Sequence, residues 1–274
     1  KKQREIIETQ KNEVDKAYDE LEEKNQEIMD SINYAKRIQS AILPPNKMIE
    51  ACLEQSFVLY KPKDVVAGDF YWLESVEKGT LFAAADCTGH GVPGAMVSVV
   101  CNNALNRSVR EYGLTTPSDI LNKTREIVIA EFEKSEDDVK DGMDIALCSL
   151  KGNKLSYSGA NNPLWIIRKN ASKIEEIKAD KQPIGKFESP QPYTTHSFEL
   201  YRGDRFYIFS DGFVDQFGGE KGKKFKAKAL RELLLSVQEQ SMKEQKDTID
   251  QAFEKWKGEL EQIDDVCFIG VEFQ

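Results

Sequence analysis

The chain has 274 residues, 40% of them hydrophobic, enough for one large domain with an extension or for two small ones. Acidic residues outnumber basic ones 47 to 38, for a formal net charge of -9. A surface of that sign repels phosphate backbones and argues against general nucleic-acid binding. No apolar run approaches the roughly 20 residues that span a bilayer, and the opening "KKQREIIE" has no secretion-signal pattern. The expectation is a soluble, cytoplasmic chain without direct membrane insertion. Its start inside a helical pattern, without Met, suggests a fragment of a longer chain.

Residues 1–43 contain neither Gly nor Pro and are dense in Glu, Lys, Gln and Asn. Ile7, Val14, Leu21, Ile28, Ala35 and Ile42 recur at a seven-residue interval, the period of a coiled coil. Ala17, Ile32 and Ile38 partly fill the neighbouring stripe, which also carries Gln10, Lys24 and Ser31. The seam is therefore weak. It fits a parallel dimeric coiled coil that changes packing or register, and a single long helix lying against the domain is the alternative. "LPPNK" at 43–47 ends the helix, because proline lacks the amide hydrogen and clashes with the preceding turn. Residues 1–45 are thus expected to form a linker and dimerisation helix, and 46–274 one folded domain.

From Phe57 onward the pattern changes to short strands. They are expected near 55–60, 65–76, 79–86, 144–150, 154–159, 163–168, 173–178, 193–199, 204–210 and 263–272. Two helices, near 93–111 and 117–134, separate the third strand from the fourth. "FKAKALRELLLSV" and "TIDQAFEKWKGEL" supply two more before the last strand, and "EKSEDDVKDG" at 133–142 reads as a solvated loop. Short turns between strands, with helices in pairs, indicate an α+β protein whose antiparallel sheets are flanked by helices. The five cysteines, Cys52, Cys87, Cys101, Cys148 and Cys267, include no C-x-x-C pair. They read as small core residues in a reducing compartment rather than as disulfides or zinc ligands.

Several aspartates fall where apolar strands begin or end. Asp69 follows a glycine inside the expected strand "VVAGDFYWL", Asp86 ends "FAAA", and Asp144 opens "DIALCSL". Asp211 ends "FYIFS", and Asp264 and Asp265 open "DDVCFIGV". Any one alone fits a turn former that accepts backbone amide hydrogen bonds. Together they are harder to explain that way. If the strands adjoin, the carboxylates converge, and like charges about 4 Å apart repel by about 4 kcal/mol at an effective dielectric near 20. Such a cluster must be protonated or hold a cation, and all-oxygen ligation favours Mg²⁺ or Mn²⁺ over Zn²⁺. Asp86 is then a candidate metal ligand.

The motifs "VAGDFYW", "AADCTGHGVPGAM", "GMDIAL", "YSGANNPLWI", "KQPIG", "YIFSDGFVDQFGG" and "DDVCFIGVEF" occur in this order. Together they resemble the PPM (PP2C-like) serine/threonine phosphatases, specifically the bacterial SpoIIE/RsbU branch, over roughly residues 55 to 274. "SINYAKRIQSAILPP" resembles the linker that joins such domains to upstream sensory modules. The resemblance implies a PP2C-like antiparallel β-sandwich flanked by helix pairs, with two Mn²⁺ or Mg²⁺ ions at one end. It implies that Asp86 bridges both ions, with Asp69 and the backbone carbonyl of Cys87 on one, and Asp211 and Asp264 on the other. Asp265 is implied as support, and Asp144, with Asp141 as a competitor, for a third and weaker ion. A hydroxide bridging the ions, held through Asp86 and Asp211, would attack phosphorus in line without a phospho-enzyme.

The implied substrate is a phosphoserine or phosphothreonine protein, a STAS-domain anti-sigma-factor antagonist of a partner-switching pathway. A homodimer through residues 1–45 and the adjacent domain is also implied. A degenerate domain acting as a binding or scaffold module is the alternative, and a two-metal nuclease or cyclase would need basic or nucleotide-binding surfaces that are not visible. His90 reads as a turn or hydrogen-bonding residue ahead of a general acid, and His196 as an exposed strand residue. Pro93 suits the first turn of a helix that starts at the site, and the glycines before it permit close backbone approach. Movement of that helix with the linker is the expected route of regulation.

Overall fold

The computed structural model describes residues 2–77, 79–134 and 140–274. Residues 135–139 of the expected acidic loop lie outside them. Helix α1 (Lys2–Ile42) is unbroken for 41 residues, about 60 Å of rise, and stops before Pro44 and Pro45. It does not lie along the domain, because Ile7, Val14, Leu21 and Ile28 are 61%, 66%, 58% and 56% exposed. Docking begins near its C-terminus, where Gln39 is buried. A short helix that the sequence did not suggest, α2 (Asn46–Cys52), then drops Ile49 into the core, followed by Leu53.

Two five-stranded antiparallel sheets follow. The first contains β2 (Phe70–Val76), β3 (Gly79–Cys87), β4 (Met143–Lys151), β5 (Lys154–Ala160) and β8 (His196–Glu199), in the order β2-β3-β4-β5-β8. The second contains β1 (Ser56–Lys61), β6 (Leu164–Ile167), β7 (Glu175–Ile177), β9 (Arg205–Phe209) and β12 (Val266–Glu272), in the order β1-β12-β9-β6-β7. Helices α3 (Gly91–Arg110) and α4 (Pro117–Phe132) cover the outer face of the first sheet. Helices α6 (Lys226–Ser236) and α7 (Met242–Lys257) cover the outer face of the second. Between β9 and α6 the chain makes the short helix α5 (Gly212–Asp215) and the hairpin β10 (Phe217–Gly218) and β11 (Lys223–Lys224). The expected sandwich flanked by helix pairs is what the chain forms.

The strand pattern explains the layering. In β3, Leu81, Ala83, Ala85 and Cys87 face α3 and α4, while Phe82 and Ala84 face the other sheet. In β12, Cys267, Ile269 and Val271 face inward and Val266 and Phe268 pack under α6 and α7. Phe82 meets Phe206 across the sandwich with centroids 6.0 Å apart, and each buried ring of this size contributes about 1.5–3 kcal/mol. A two-residue period also fixes what lies beyond the last inward apolar residue. Stepping on from Ala84 gives Asp86, from Ala146 Asp144, from Cys267 Asp265, and from Tyr71 Asp69. Four carboxylates therefore occupy inner-face positions at one end of the sandwich, where apolar packing stops.

Candidate active site

Each carboxylate reaches this end by a different local device. Asp86 and Asp144 are direct cross-strand partners in the β3–β4 ladder. Asp69 lies one residue before β2, not inside a strand as the sequence suggested. Residues 62–69 instead form an irregular loop, because Asp265 captures its backbone. The Lys63 amide donates to Asp265 Oδ1 and the Gly68 amide to Oδ2, each at 2.7 Å. Asp211 follows β9 at the N-cap position of α5, with its carboxylate making no capping hydrogen bond. The next residue must be glycine, since a Cβ at Gly212 would stand 2.0 Å from the Asp265 carbonyl oxygen. Asp264 is braced by the Asp265 amide at 2.9 Å, and Gln262 donates to its carbonyl at 2.8 Å.

The loop after β3 packs equally tightly. A Cβ at Gly68 or at Gly94 would fall 2.2 Å from the Gly89 carbonyl oxygen, so three backbone segments touch beside Asp86. Gly89, His90, Asp86, Asp144, Asp211 and Asp264 share a cavity of about 310 Å³. Asp141 is not among its lining residues. The Cys87 thiol points away, into the core beside Cys101, where burial pushes its pKa up. Only its backbone is left to serve the cavity. Cys52, Cys87, Cys101, Cys148 and Cys267 are all free, and all but Cys52 are buried. His196 sits on a strand as expected, but half-buried, its ring stacked on Tyr157.

The electrostatics are those of crowded like charges. Burial raises the Asp69 carboxyl far above the usual range and the Asp86 charge adds to this, with the Ser210 hydroxyl opposing. Asp86 is pushed up to about 8 by burial and by Asp211, Asp264 and Asp144, eased slightly by contact with Asp69. Asp211 rises to about 6 through desolvation and the charges of Asp215, Asp264 and Asp144. Burial raises Asp144 too, although Asn161 donates to it at 2.8 Å. Asp69 is 1% exposed, yet its Oδ2 has no hydrogen-bond partner.

An unpartnered buried oxygen among raised carboxylates fits a divalent cation, and the donor set is the hard, all-oxygen kind that Mg²⁺ and Mn²⁺ prefer. Among the described residues, no three His, Cys, Asp or Glu side chains close into a ready-made cage. The reason lies in their present bonds. Asp265 is spent on backbone amides, Asp144 on Asn161, and Asp264 on the Asp265 amide. A small divalent ion that keeps several waters needs few protein oxygens at a time.

Sequence reasoning missed five contributors. Tyr60 donates to the Asp69 carbonyl at 3.0 Å, and the buried Gln216 holds Glu261 and Ile263 ahead of Asp264. Gln39 of α1 clasps Ala67 through both amide atoms, donating at 2.5 Å and accepting at 3.1 Å, and reaches Ser98 of α3 at 3.0 Å. Lys63 and Asp64 bond the ring of His90, which lines the cavity. The "YSGANNP" motif offered a cue for Asn161, whereas nothing distinguished Gln39 from the other glutamines of its helix.

A helix-flanked antiparallel sandwich with carboxylates gathered at one end defines a PPM-type protein serine/threonine phosphatase, a class whose enzymes use divalent metals. The family profile described as "Stage II sporulation protein E (SpoIIE)" matches residues 77–274. The SiaA-PP2C domain of Pseudomonas aeruginosa is 31% identical, with a TM-score of 0.83 over 91% of this chain and 98% of that one. The chain belongs to the SpoIIE family. Two further solved structures share the fold at 18% identity. The phosphatase domain and regulatory fragment of SpoIIE from Bacillus subtilis has a TM-score of 0.63, covering 80% of this chain and 62% of that one. The RsbU and RsbW domains of a Mycobacterium tuberculosis protein have a TM-score of 0.61, covering 79% and 59%. Curated protein sequences contain no significant match. Among the described residues, no helix is long and apolar enough to cross a membrane.

Proposed function

We propose that the carboxylate end is a two-metal phosphoprotein phosphatase site, with residues 46–274 as the catalytic domain and 1–45 as its regulatory helix. Asp86 is assigned to both ions, Asp69 and the Cys87 carbonyl to one, Asp211 and Asp264 to the other. Asp144 is assigned to a third, weaker ion, and Asp265 to support. The observation that carries this reading is the unpartnered, fully buried Asp69 Oδ2 beside Asp86. Bound there, Mn²⁺ or Mg²⁺ would acidify water and offset charge on the phosphoryl group.

The chain's own contribution is to hold charge and exclude alternatives. Asp86 and Asp144 are fixed by the strand ladder, Asp211 by the Gly212 contact, and Asp264 by its neighbour's amide. Hydrolysis needs no cysteine nucleophile, and the Cys87 thiol is turned into the core. The substrate we infer is a phosphorylated STAS-domain antagonist in the cytoplasm. It is supported by the family and by a structural neighbour that joins RsbU to RsbW domains.

Regulation is assigned to α1. Its exposed stripe of Ile7, Val14, Leu21 and Ile28 suits a second copy of the helix, while Gln39 ties the other end to Ala67, two residues from Asp69, and to α3. A change in helix packing would thus reach both sides of the site. The test of the whole reading is phosphate release from an aryl phosphate by wild type and Asp86→Asn, with Mn²⁺ or EDTA. Activity that needs both Mn²⁺ and Asp86 is expected, with a loss on the order of 10³-fold in the variant. Equal rates in wild type and variant would sink it, and removal of residues 1–45 is expected to change Mn²⁺ affinity.

A further inference from the structure

We propose that a separate site, at the end of the first sheet far from the carboxylates, binds a small oxyanion of the phosphate class. It is a cavity of about 210 Å³ between the β4–β5 turn and the start of α4. Asp144 opens β4 at the carboxylate end and Lys151 closes it here, seven positions and about 23 Å away. Ser149 lies two residues beyond Leu147, which packs under α3 and α4, so its side chain is on the outer face. Cross-strand pairing sets Ser156 beside Ser149, Ser197 beside Ser156, and Lys154 beside Lys151. A row of hydroxyls flanked by two ammonium groups therefore faces the first turn of α4.

The observation that points to a ligand is Ser149. It is 2% exposed and lines the cavity, yet among the described residues its hydroxyl bonds to nothing, where a buried polar group is ordinarily paired. The other donors around it can be followed proton by proton. Thr115 Oγ1 accepts from Lys151 Nζ at 3.2 Å, which leaves its own proton free. Ser156 and Ser197 share one bond at 2.9 Å, so one of their two hydroxyl protons is free. Lys151 keeps two ammonium protons and Lys154 all three, since among the described residues neither pairs with a carboxylate. Thr195 alone is spent. It accepts from the Ser118 amide at 3.0 Å, and because Ser158 gives its proton to the Thr194 carbonyl, Thr195 donates to Ser158 at 3.1 Å. Thr195 thereby fixes the start of α4, and the donors around Ser149 stay open.

These donors suit an anion with oxygen acceptors on several sides. Among the described residues the lining carries no carboxylate, in a chain whose net charge is -9. Asp119 in the first turn of α4 and Glu199 opposite Lys154 both stand outside it. Thr116 holds the N-cap position of α4 without a side-chain bond, and the positive end of that 16-residue helix adds to the field. Ammonium groups meet phosphoryl oxygens as point charges with rotatable donors. Hydroxyls donate to those oxygens and also accept from a protonated one. A volume of about 210 Å³ is below that of drug-sized ligand pockets, so the ligand is a small ion or ester.

The test is a calorimetric titration of inorganic phosphate into the full chain in EDTA, where the crowded carboxylates repel an anion at the other end. Wild type, Asp86→Asn, Ser149→Ala and Lys151→Met are compared, each first shown to be folded by thermal unfolding, and free phosphoserine is titrated alongside. Wild type and Asp86→Asn are expected to bind phosphate equally. Affinity should fall about tenfold in Lys151→Met and severalfold in Ser149→Ala, as for loss of a charge-assisted and of a neutral hydrogen bond. Amide chemical shifts should move first in residues 115–118 and 149–156. Phosphoserine that binds as tightly as phosphate would assign recognition to the phosphoryl group itself, and binding of phosphate alone would assign it to the free ion. A wild type that binds no phosphate, binding that is lost in Asp86→Asn, shifts centred elsewhere, or equal affinity in wild type, Ser149→Ala and Lys151→Met would overturn the proposal. No arm requires turnover, so the result stands apart from the phosphatase reading.

Discussion

Two aspartates at opposite ends of the sandwich are buried to the same degree and solved in opposite ways. Asp204, 2% exposed, accepts from Arg168 at 2.7 Å and from the amides of Lys169 and Tyr201 at 3.0 Å each. Burial alone would raise its pKa, but the Lys169 amide, the Arg168 guanidinium and the Tyr201 amide outweigh it and hold the carboxyl below the usual range. Arg205 and Glu272 pair at 2.7 Å in the same region. Asp69, 1% exposed at the other end, has like charges for neighbours and an oxygen without a partner. One end satisfies its buried carboxylate with a guanidinium and amides, and at the other a buried Asp69 oxygen stays without a partner, as the proposed cation site requires.

The contrast can be broken from either side. The largest effect on stability is expected from Asp204→Ala, which leaves two amides without an acceptor and takes from the Arg168 guanidinium its shortest carboxylate partner. A loss of about 3 kcal/mol, and a fall in Tm on the order of 10 °C, should appear in thermal unfolding with or without Mn²⁺. Asp69→Asn should act in the opposite direction in EDTA. Removing a carboxyl that burial and the Asp86 charge hold far above its usual range is expected to stabilise the metal-free chain by about 1–2 kcal/mol, while the thermal response to Mn²⁺ is lost. A destabilised Asp69→Asn in EDTA would show that this end is satisfied without a cation.

The two ends also titrate in opposite senses. Because the folded pKa of Asp86 is raised to about 8, the metal-free folded state holds more protons than the unfolded state from about pH 4 upward. Stability in EDTA should therefore fall as pH rises through that window, and Asp86→Asn should flatten the slope. Asp204 has a lowered folded pKa, so its contribution is present above the ordinary carboxylate pKa and is lost as pH falls through the folded value. Denaturant melts from pH 3 to 9 would separate the two. The smallest effect is expected from Gln39→Ala, about 1 kcal/mol of stability, with a measurable change in Mn²⁺ affinity by calorimetry.

How much of this was readable beforehand depended on periodicity. Asp86, Asp144, Asp211, Asp264 and Asp265 stood out because each interrupts an apolar strand pattern, and that pattern also gave the sandwich and its helix pairs. Asp69 was found but misplaced, because Val65, Val66 and Ala67 look like strand residues. Their loop is set by Asp265, almost two hundred positions away, which no local pattern announces. Lys63 and Asp64 sit in "KPKD", which reads as a solvated turn, and their link to His90 exists only once two loops meet. Gln39 is one amide in a helix full of them, marked only by burial against Ala67 and Ser98. The hairpin of β10 and β11 has strands of two residues, too short to leave a period.

The central claim, that the unsatisfied end is built for divalent cations, is tested most directly by thermal unfolding of wild type and Asp86→Asn across a Mn²⁺ titration. The account predicts that Mn²⁺ raises the wild-type Tm by several degrees, by about the amount that saturating a folded-state site allows, and leaves Asp86→Asn unmoved. A wild-type Tm indifferent to Mn²⁺, or an equal rise in both proteins, would contradict it.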